Sequence, residues 1–293
     1  MKVTRRTLFE SNTLQIGLFE ARDVSENCGE VERQSSNVVV LPLRGLFSKH
    51  DAPGRQVVGT PSHAVFIAAD APYRLGYPGA IGDRALLLRF SSALAPDTAG
   101  NHGGEAPASS GLLPAEAMVL RNLLGTWLTT SEADEFEIEV HGLHLLGMAL
   151  GALRSADASL RRSTEARWSR SLQRVKEAVA IAPADKWDVE TLARIALMSP
   201  FHLCRVFRRM TGTSIYGYVL CERLASTLDA VLDGKDLAAI ALDAGFASHS
   251  HFTTRFRDFF GCAPTVLRCC ARADKVTELR KIVEAWRGAT VVD

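Results

Sequence analysis

The sequence predicts an α+β fold. A small β-barrel or jelly-roll domain precedes a helical linker and a C-terminal all-α domain of two helix-turn-helix motifs joined by a long helix. Three observations predict this order: short apolar runs between turn formers up to residue 95, apolar residues at helical spacing from residue 112 onward, and one helix-turn-helix pattern that occurs twice. A chain of 293 residues is long enough for two such domains.

The N-terminal domain, placed at residues 1–110, is predicted from four short runs that are rich in β-branched residues or leucine. These runs lie at 38–41, 56–59, 64–67 and 85–88, and turns that contain Pro, Gly or Asp separate them. Several short strands at near-regular spacing are typical of a small sandwich or barrel.

Helical segments follow a stretch at 98–111 that is rich in Gly, Ala, Ser and Pro. Apolar side chains recur every three or four residues over 112–128 and form a broad face over 137–153, which predicts two helices. We assign residues 111–165 to a helical linker.

The all-α domain is placed at residues 166–272. Its two helix-turn-helix motifs are predicted at about 188–210 and about 236–260, with glycines closing or separating the helices. Residues 273–293 form a C-terminal tail, in which 275–286 has the pattern of an amphipathic helix.

Net charge is distributed unevenly along the chain. The whole sequence carries only +1, which by itself argues against a nucleic-acid partner. Residues 1–160, however, hold 13 basic and 18 acidic side chains, a net of −5, whereas residues 161–293 hold 21 basic and 15 acidic side chains, a net of +6. An acidic half and a basic half are therefore joined in one chain.

Composition excludes several classes of protein. A hydrophobic content of 47% with 23% charged residues is ordinary for a soluble globular protein. No run approaches the ~20 apolar residues that a membrane-spanning helix needs. No apolar stretch follows the basic N-terminus, and the six cysteines lack the regular spacing of a disulfide framework, so we expect a cytoplasmic protein.

An internal repeat carries the functional prediction. Residues 199–212 match residues 248–261 at an offset of 49, and the short helix before each stretch aligns at an offset of 48. A short helix, a tight turn and a second helix form the helix-turn-helix pattern. Ser199 is predicted to cap the second helix of the first copy, with Pro200 at the first helical position.

The two copies share an inward-facing set of apolar residues. The predicted helix-turn-helix core consists of Leu192, Ala193, Leu203, Phe207, Ile240, Ala241, Phe252 and Phe256. Between the copies, an apolar register over 215–232 predicts a helix of ~27 Å at 1.5 Å per residue. Such a rod would hold the two second helices apart so that they enter successive major grooves on one face of DNA.

Both motifs and the helix between them contain a characteristic set of residues: Leu192, Ala193, Ser199, Pro200, His202, Leu203, Arg205, Phe207, Gly212, Thr213, Tyr218, Arg223, Leu224, Ala225, Ile240, Ala241, Ala244, Gly245, Phe246, Ser250, Phe252, Phe256, Phe260, Gly261, Pro264 and Arg268. On this set, residues 185–272 resemble the DNA-binding domain of the AraC/XylS family of bacterial transcription regulators. The resemblance implies a cupin-like β-barrel regulatory domain before the DNA-binding domain, and a homodimer formed through the linker helices. It also implies promoter or operator DNA and RNA polymerase as partners.

The resemblance implies which side chains contact DNA: Phe201, Cys204, Arg205 and Arg208 from the first copy, and His249, Ser250, Thr253, Thr254 and Arg257 from the second. Arg205 is the best candidate for bidentate recognition of guanine. Arg208 and Arg257 are expected to bind phosphates, which position the protein without specifying sequence. Residues 168–272 carry a net of only +4, so we expect moderate non-specific affinity.

No catalytic or metal site is predicted. The sequence contains no Ser-His-Asp elbow, Walker loop or dinucleotide glycine motif, so we expect neither enzyme activity nor a cofactor. His50 and His63 are isolated, and no His-x-His cluster with a downstream Glu marks a cupin metal site. Cys262, Cys269 and Cys270 cluster near the end of the domain, either as idle thiols or as a thiol sensor.

The leading hypothesis is a cytoplasmic, sequence-specific DNA-binding transcription regulator that is controlled by a small-molecule effector or by dimerisation through the N-terminal domain. Two alternatives stay open. One is a cupin-type enzyme fused to a DNA-binding domain, and the other is a ligand-independent regulator whose N-terminal domain makes only protein–protein contacts. The sequence identifies neither the effector nor the operator, and it does not distinguish activation from repression.

Overall fold

The computed structural model describes residues 2–51, 56–91, 109–130, 134–160 and 166–271. Its architecture is α+β, as predicted, with strands in the N-terminal part and helices in the C-terminal part. The helix predicted at 275–286 and most of the stretch at 98–111 lie outside the described residues.

The N-terminal part consists of two antiparallel sheets. Their strands are β1 (Lys2–Glu10), β2 (Leu14–Arg22), β3 (Asn37–Gly45), β4 (Phe47–His50), β5 (Gln56–Gly59), β6 (His63–Ile67), β7 (Arg74–Gly76), β8 (Asp83–Phe90) and β9 (Ser110–Leu112). The large sheet has the order β1-β2-β8-β3-β6-β9, and the small sheet has the order β5-β4-β7. The predicted β domain is therefore confirmed, and the two sheets account for its short strands.

Both faces of the large sheet are buried at β3, which explains the continuous apolar run at 38–41 in this strand. Successive side chains of a strand point to opposite faces of the sheet. Val38 packs in a hydrophobic cluster with Phe47 of the small sheet, whereas Val39 packs in the cluster that contains the helices. A strand that is covered on both sides loses the usual alternation of apolar and polar residues.

The helices are α1 (Ala115–Thr130), α2 (Glu135–Leu160), α3 (Ala166–Ile181), α4 (Val189–Ala196), α5 (Pro200–Thr211), α6 (Ile215–Leu232), α7 (Leu237–Asp243), α8 (His249–Phe260) and α9 (Pro264–Ala271). Two of them, α1 and α2, cover the second face of the large sheet. A Cβ atom at Gly142 would lie 2.6 Å from Cδ2 of Leu14, so glycine permits the close approach of α2 to β2. Within the described ranges, no helix is both long enough and apolar enough to cross a membrane.

The C-terminal helices are divided between two hydrophobic clusters. Helices α3 to α5 form one cluster with the start of α6, and Leu203 and Phe207 are fully buried in it. Helices α7 to α9 instead share the large cluster with the sheet and α1, so that Phe252 and Leu120 belong to one core. Helix α6 contributes to both clusters, and this arrangement ties the second helix-turn-helix unit to the N-terminal domain. The domain boundaries proposed from the sequence stay predictions.

Candidate nucleic-acid interface

The two helix-turn-helix units begin in the same way. Helix α4 follows Asp188, whose carboxylate accepts a hydrogen bond of 2.6 Å from the Thr191 N–H. Helix α7 follows Asp236, whose carboxylate accepts one of 2.8 Å from the Ala239 N–H. An Asp at this position accepts a hydrogen bond from one of the free N–H groups of the first turn, and its negative charge interacts favourably with the positive end of the helix dipole. The same local chemistry therefore starts both units.

The outward helices α5 and α8 are also built alike, and we call them the recognition helices. Each has 12 residues. Ser199 and Ser248 cap their first turns by accepting a backbone hydrogen bond from three residues further on. Gly212 and Gly261 end them with φ angles of 75° and 72°, in the left-handed region that favours glycine. The caps at both ends of the two helices therefore align at the same offset of 49 residues.

The inward faces of both units are closed. The eight residues predicted to form the helix-turn-helix core are buried, namely Leu192, Ala193, Leu203, Phe207, Ile240, Ala241, Phe252 and Phe256. In the second unit the aromatic rings touch one another, with centroids 5.5 Å apart for Phe252 and Phe256 and 4.6 Å apart for Phe256 and Phe260. These phenylalanines are packing residues and offer no exposed ring on which a base could stack.

The outward faces are open to solvent. Eight of the nine side chains predicted to contact DNA are exposed: Phe201, Cys204, Arg205, Arg208, His249, Ser250, Thr254 and Arg257. The ninth, Thr253, is half-buried, and its Oγ1 lies 3.4 Å from Nε2 of His249. Phe201 exposes 78% of its surface at the start of α5, which is unusual for a large apolar side chain.

Three arginines on these faces have no partner within the part of the chain that the structure describes. The side chains of Arg205, Arg208 and Arg257 form no hydrogen bond or ion pair there, although the backbone carbonyls of Arg208 and Arg257 accept the bonds that cap the ends of their helices. A guanidinium group offers five N–H donors in a planar fork that matches phosphate oxygens and the guanine edge. The recognition helices therefore present unsatisfied cationic donors to the solvent, which suits an anionic polymer.

The turn of the first unit contains a strained residue that the sequence analysis did not single out. Leu197 ends α4 at φ 57° and ψ 44°, in the left-handed region, and 78% of its surface is exposed. The equivalent residue of the second unit is Gly245, at φ 76°. The offset of 48 between the upstream helices pairs these two positions, so the repeat itself contained the signal.

Replacing Leu197 with glycine is expected to stabilise the full chain by about 0.5–1 kcal/mol. Relief of a left-handed conformation contributes ~1–2 kcal/mol, and the greater backbone entropy of glycine in the unfolded chain offsets part of it. Urea denaturation of the full chain measures the difference.

The matched variant is Gly245→Ala, which is expected to destabilise the chain because a Cβ there would lie 2.3 Å from the Ala184 carbonyl oxygen. A loss of stability in Leu197→Gly would show that the leucine side chain makes a contact that outweighs its strain.

The six cysteines are free thiols and fall into two groups. Cys28, Cys204 and Cys269 are exposed, and Cys221, Cys262 and Cys270 are buried. Burial raises the pKa of Cys262 to about 12, with a further contribution from Cys270, and this disfavours the reactive thiolate. Of the three cysteines that cluster in the sequence, Cys269 is thus the one accessible to an oxidant.

His50 and His63, which are isolated in the sequence, make contacts within the N-terminal part and with α6. Nε2 of His50 lies 2.9 Å from Oγ of Ser48 within the small sheet. His63 is buried beside Thr60 and Glu222 of α6, in a contact that sequence reasoning did not anticipate. The described residues contain no group of three or more His, Cys, Asp or Glu side chains placed to hold a metal ion.

Comparison with protein families matches residues 192–269 to the helix-turn-helix domain. An uncharacterized HTH-type transcriptional regulator of Haemophilus influenzae is 29% identical over 92 residues, which cover 31% of each chain. XylDLEGF operon transcriptional activator 2 of Pseudomonas putida is 32% identical over 82 residues, 27% of this chain and 52% of that protein. The aligned region thus spans about a third to a half of the length of these curated relatives. The predicted helix-turn-helix resemblance is confirmed over this region.

Two solved structures are similar to the chain over different shares of its length. ToxT from Vibrio cholerae O395 is 10% identical, with 89% of this chain and 99% of ToxT covered and a TM-score of 0.35. A cupin superfamily protein from Desulfitobacterium hafniense is 17% identical, with 31% of this chain and 78% of that chain covered and a TM-score of 0.26.

Proposed function

We propose that this chain, whose residues 192–269 form a helix-turn-helix domain, is a sequence-specific DNA-binding transcription regulator of the AraC/XylS type. The observation that carries the proposal is the pair of equally long, equally capped recognition helices whose outward side chains face solvent. We propose a regulatory rather than a catalytic role for the N-terminal domain and, because the proposed partner is DNA, a cytoplasmic location for the protein.

The side chains of the two recognition helices suit different tasks. Arg205 stands in the second turn of α5, where a guanidinium fork can donate to O6 and N7 of guanine. Arg208 and Arg257 lie nearer the ends of their helices and suit phosphate oxygens. Helix α8 instead offers the hydroxyls of Ser250 and Thr254, which donate or accept and therefore fit more than one base. Sequence discrimination should consequently be stronger in the half-site bound by α5.

Selection from random duplexes tests the proposed function. Helix α6 has 18 residues and spans ~27 Å, so the two recognition helices are expected to bind two short elements about one helical turn of DNA apart. Duplexes enriched on the full chain at fixed salt should contain these two elements about 10–10.5 base pairs apart. Recovery of salt-sensitive binding without any enriched sequence would contradict a sequence-specific regulator.

We further propose a homodimer formed through α2. Phe136 exposes 73% of its surface and Val140 exposes 46%, and the two residues lie one turn apart on this helix. An apolar stripe on the surface of a helix suits a second copy of the same stripe, because a two-fold axis pairs identical patches.

Phe136→Glu is expected to weaken self-association at least about tenfold in sedimentation experiments, because it places a like-charged pair at the axis of the proposed dimer. Val31→Glu, at an exposed apolar residue outside α2, serves as the control. Equal effects of the two substitutions, or none, would place the dimer contact elsewhere.

A small-molecule effector is proposed to act through the N-terminal domain, with RNA polymerase as the partner of the promoter-bound protein. The hydrophobic cluster that the large sheet shares with α1 and with α7 to α9 supports control of this kind, because a ligand that shifts the sheet would also displace α8. An effector alters DNA affinity only if it binds the DNA-binding conformation of the protein and its other conformation with different affinities. Melting of the full chain with a metabolite library detects it, since a ligand at 100 times its Kd stabilises the bound form by ~2.7 kcal/mol.

A further inference from the structure

A buried polar contact joins the N-terminal domain to the middle of α6. Oε1 of Glu222 accepts hydrogen bonds from Oγ1 of Thr60 at 2.9 Å and from Oγ of Ser62 at 2.5 Å, both in the turn before β6. Glu222 exposes only 2% of its surface, and the two hydroxyl residues are fully buried. We propose that this contact, the Glu222 latch of Thr60, Ser62 and Glu222, lets the N-terminal domain fix the relative position of the two helix-turn-helix units.

The position of Glu222 along α6 supports this role. One turn before it, Tyr218 and Val219 pack in the hydrophobic cluster of the first unit. Its neighbours Cys221 and Leu224 pack in the core that the second unit shares with the sheet. The latch therefore holds α6 where the two clusters meet. A change in the direction of the helix at this point would move one recognition helix relative to the other.

The surroundings of Glu222 act on its charge in opposite directions. Burial raises the pKa of this carboxyl, and the hydrogen bonds from Ser62 and Thr60 and the charge of Lys176 on α3 oppose the rise. Nδ1 of His63 lies 2.9 Å from each of the same hydroxyl oxygens. Burial, with the charge of Lys176, holds the pKa of His63 well below its usual range, so the ring is neutral. The positive charge that favours an ionised Glu222 is therefore that of Lys176 rather than that of the histidine.

The turn that carries the two hydroxyls is also held from its other side. Arg121 of α1 is fully buried and donates from Nη1 to the Pro61 carbonyl oxygen at 2.5 Å. Its Nε and Nη2 donate to Oδ1 of Asn122. The turn leads directly into β6, which lies between β3 and β9 in the large sheet. A displacement of β6 would therefore be transmitted to Glu222 instead of being absorbed by a loose loop.

A second interdomain contact on the same helix provides a matched control. Nη1 of Arg84 and Oδ1 of Asp229 are 3.3 Å apart, two turns beyond Glu222, and both side chains are partly exposed. An isolated ion pair that stays partly exposed is expected to contribute less to stability than the buried latch. Removing the Asp229 charge should thus leave the position of α6 between the two hydrophobic clusters unchanged.

Hydrogen exchange of the full chain without DNA tests the latch itself. Glu222→Met, which cannot accept a hydrogen bond, is expected to speed amide exchange in the 60–63 turn and in the middle of α6 at least about tenfold, with unchanged exchange in β2 and β8. Thr60→Val with Ser62→Ala should have the same effect from the other side, and combining all three substitutions should add less than the sum. Asp229→Asn should change these rates less than about twofold.

Several outcomes would overturn the latch. The first is unchanged amide protection both in Glu222→Met and in the variant with Thr60→Val and Ser62→Ala. The second is an equal rise of exchange rates across the whole chain. The third is an effect of the triple variant that equals the sum of the other two. If Glu222→Met does not fold, the variant with the two hydroxyl substitutions decides alone, because its side chains keep nearly the same volume.

Control of DNA binding by the latch rests on the proposed function and needs a separate measurement. The latch variants should alter the affinity ratio between a two-element duplex and a one-element duplex at least about tenfold, in either direction. An unaltered ratio would show that the latch is structural only. If the native chain binds neither duplex specifically, the proposed function fails, while the exchange result still decides whether the latch exists.

Discussion

Replacing Arg205 with alanine is expected to lower the affinity of the full chain for its specific duplex by about 10- to 100-fold, because one bidentate arginine–guanine pair contributes ~1–3 kcal/mol of discrimination. The side chain is exposed and forms no hydrogen bond or ion pair in the described part of the chain. Its removal therefore leaves the folded protein essentially unchanged, and the loss reports on recognition. Gel-shift titrations at fixed salt, with the specific duplex and an unrelated duplex, measure it.

Arg208→Ala is the matched control on the same helix. A phosphate contact should weaken binding to both duplexes equally and reduce the slope of log affinity against log salt by ~1. Arg205→Ala should instead weaken only the specific complex, and it should relax the preference at one base pair of the site. Equal loss on both duplexes would make Arg205 a phosphate contact, and no loss on either would remove it from the interface.

The features that the sequence predicted correctly are local in the chain. The helix-turn-helix pattern is one of them, because caps such as Ser199 and Gly212 act within a few residues of the helix that they bound. A second copy of the pattern, offset by 49 residues in the second helix and by 48 in the helix before it, supported the prediction. Helical periodicity indicated the inward face, which Leu203 and Phe207 occupy. The resemblance to the AraC/XylS family implied which outward side chains contact DNA.

The strands were harder to predict, for reasons that the sheet makes plain. Strand β1 at Lys2–Glu10 is exposed along most of its length at the edge of the large sheet, so its side chains show no apolar alternation. It is defined by its backbone pairing with β2. Pairing of this kind depends on the position of a neighbouring strand and leaves only a weak mark on the sequence.

Polar contacts between residues that are far apart in the sequence could not be predicted from it. Thr60 and Glu222 are 162 residues apart, and a single glutamate on an amphipathic helix is usually a surface residue. Arg121 is similar, because its fully buried guanidinium is satisfied by the Pro61 carbonyl oxygen and the Asn122 side chain. Burial of a charge is decided by tertiary partners, so the interdomain contact became visible only with the fold.

Phe256→Ala is expected to destabilise the full chain by about 3–5 kcal/mol, because it removes a ring from the hydrophobic core that α8 shares with the large sheet. Phe256 is fully buried in α8, between the rings of Phe252 and Phe260. It belongs to the same hydrophobic cluster as Val39 and Leu86 of the large sheet. The substitution should therefore weaken the N-terminal sheet as well as the second recognition unit. Urea denaturation followed by circular dichroism measures the total loss.

Hydrogen exchange of the β3 and β8 amides separates the shared core from two independent ones. With a shared core, protection of these amides falls together with the global stability, because the sheet and α8 open as one unit. Phe259→Ala, on the same helix but only half-buried, should cost far less because fewer contacts are lost. Full protection of the sheet in Phe256→Ala, alongside an unfolded second unit, would show that the N-terminal domain is stable without α8. In that case an effector bound to the sheet would have to act on DNA binding through α6 and the Glu222 latch alone.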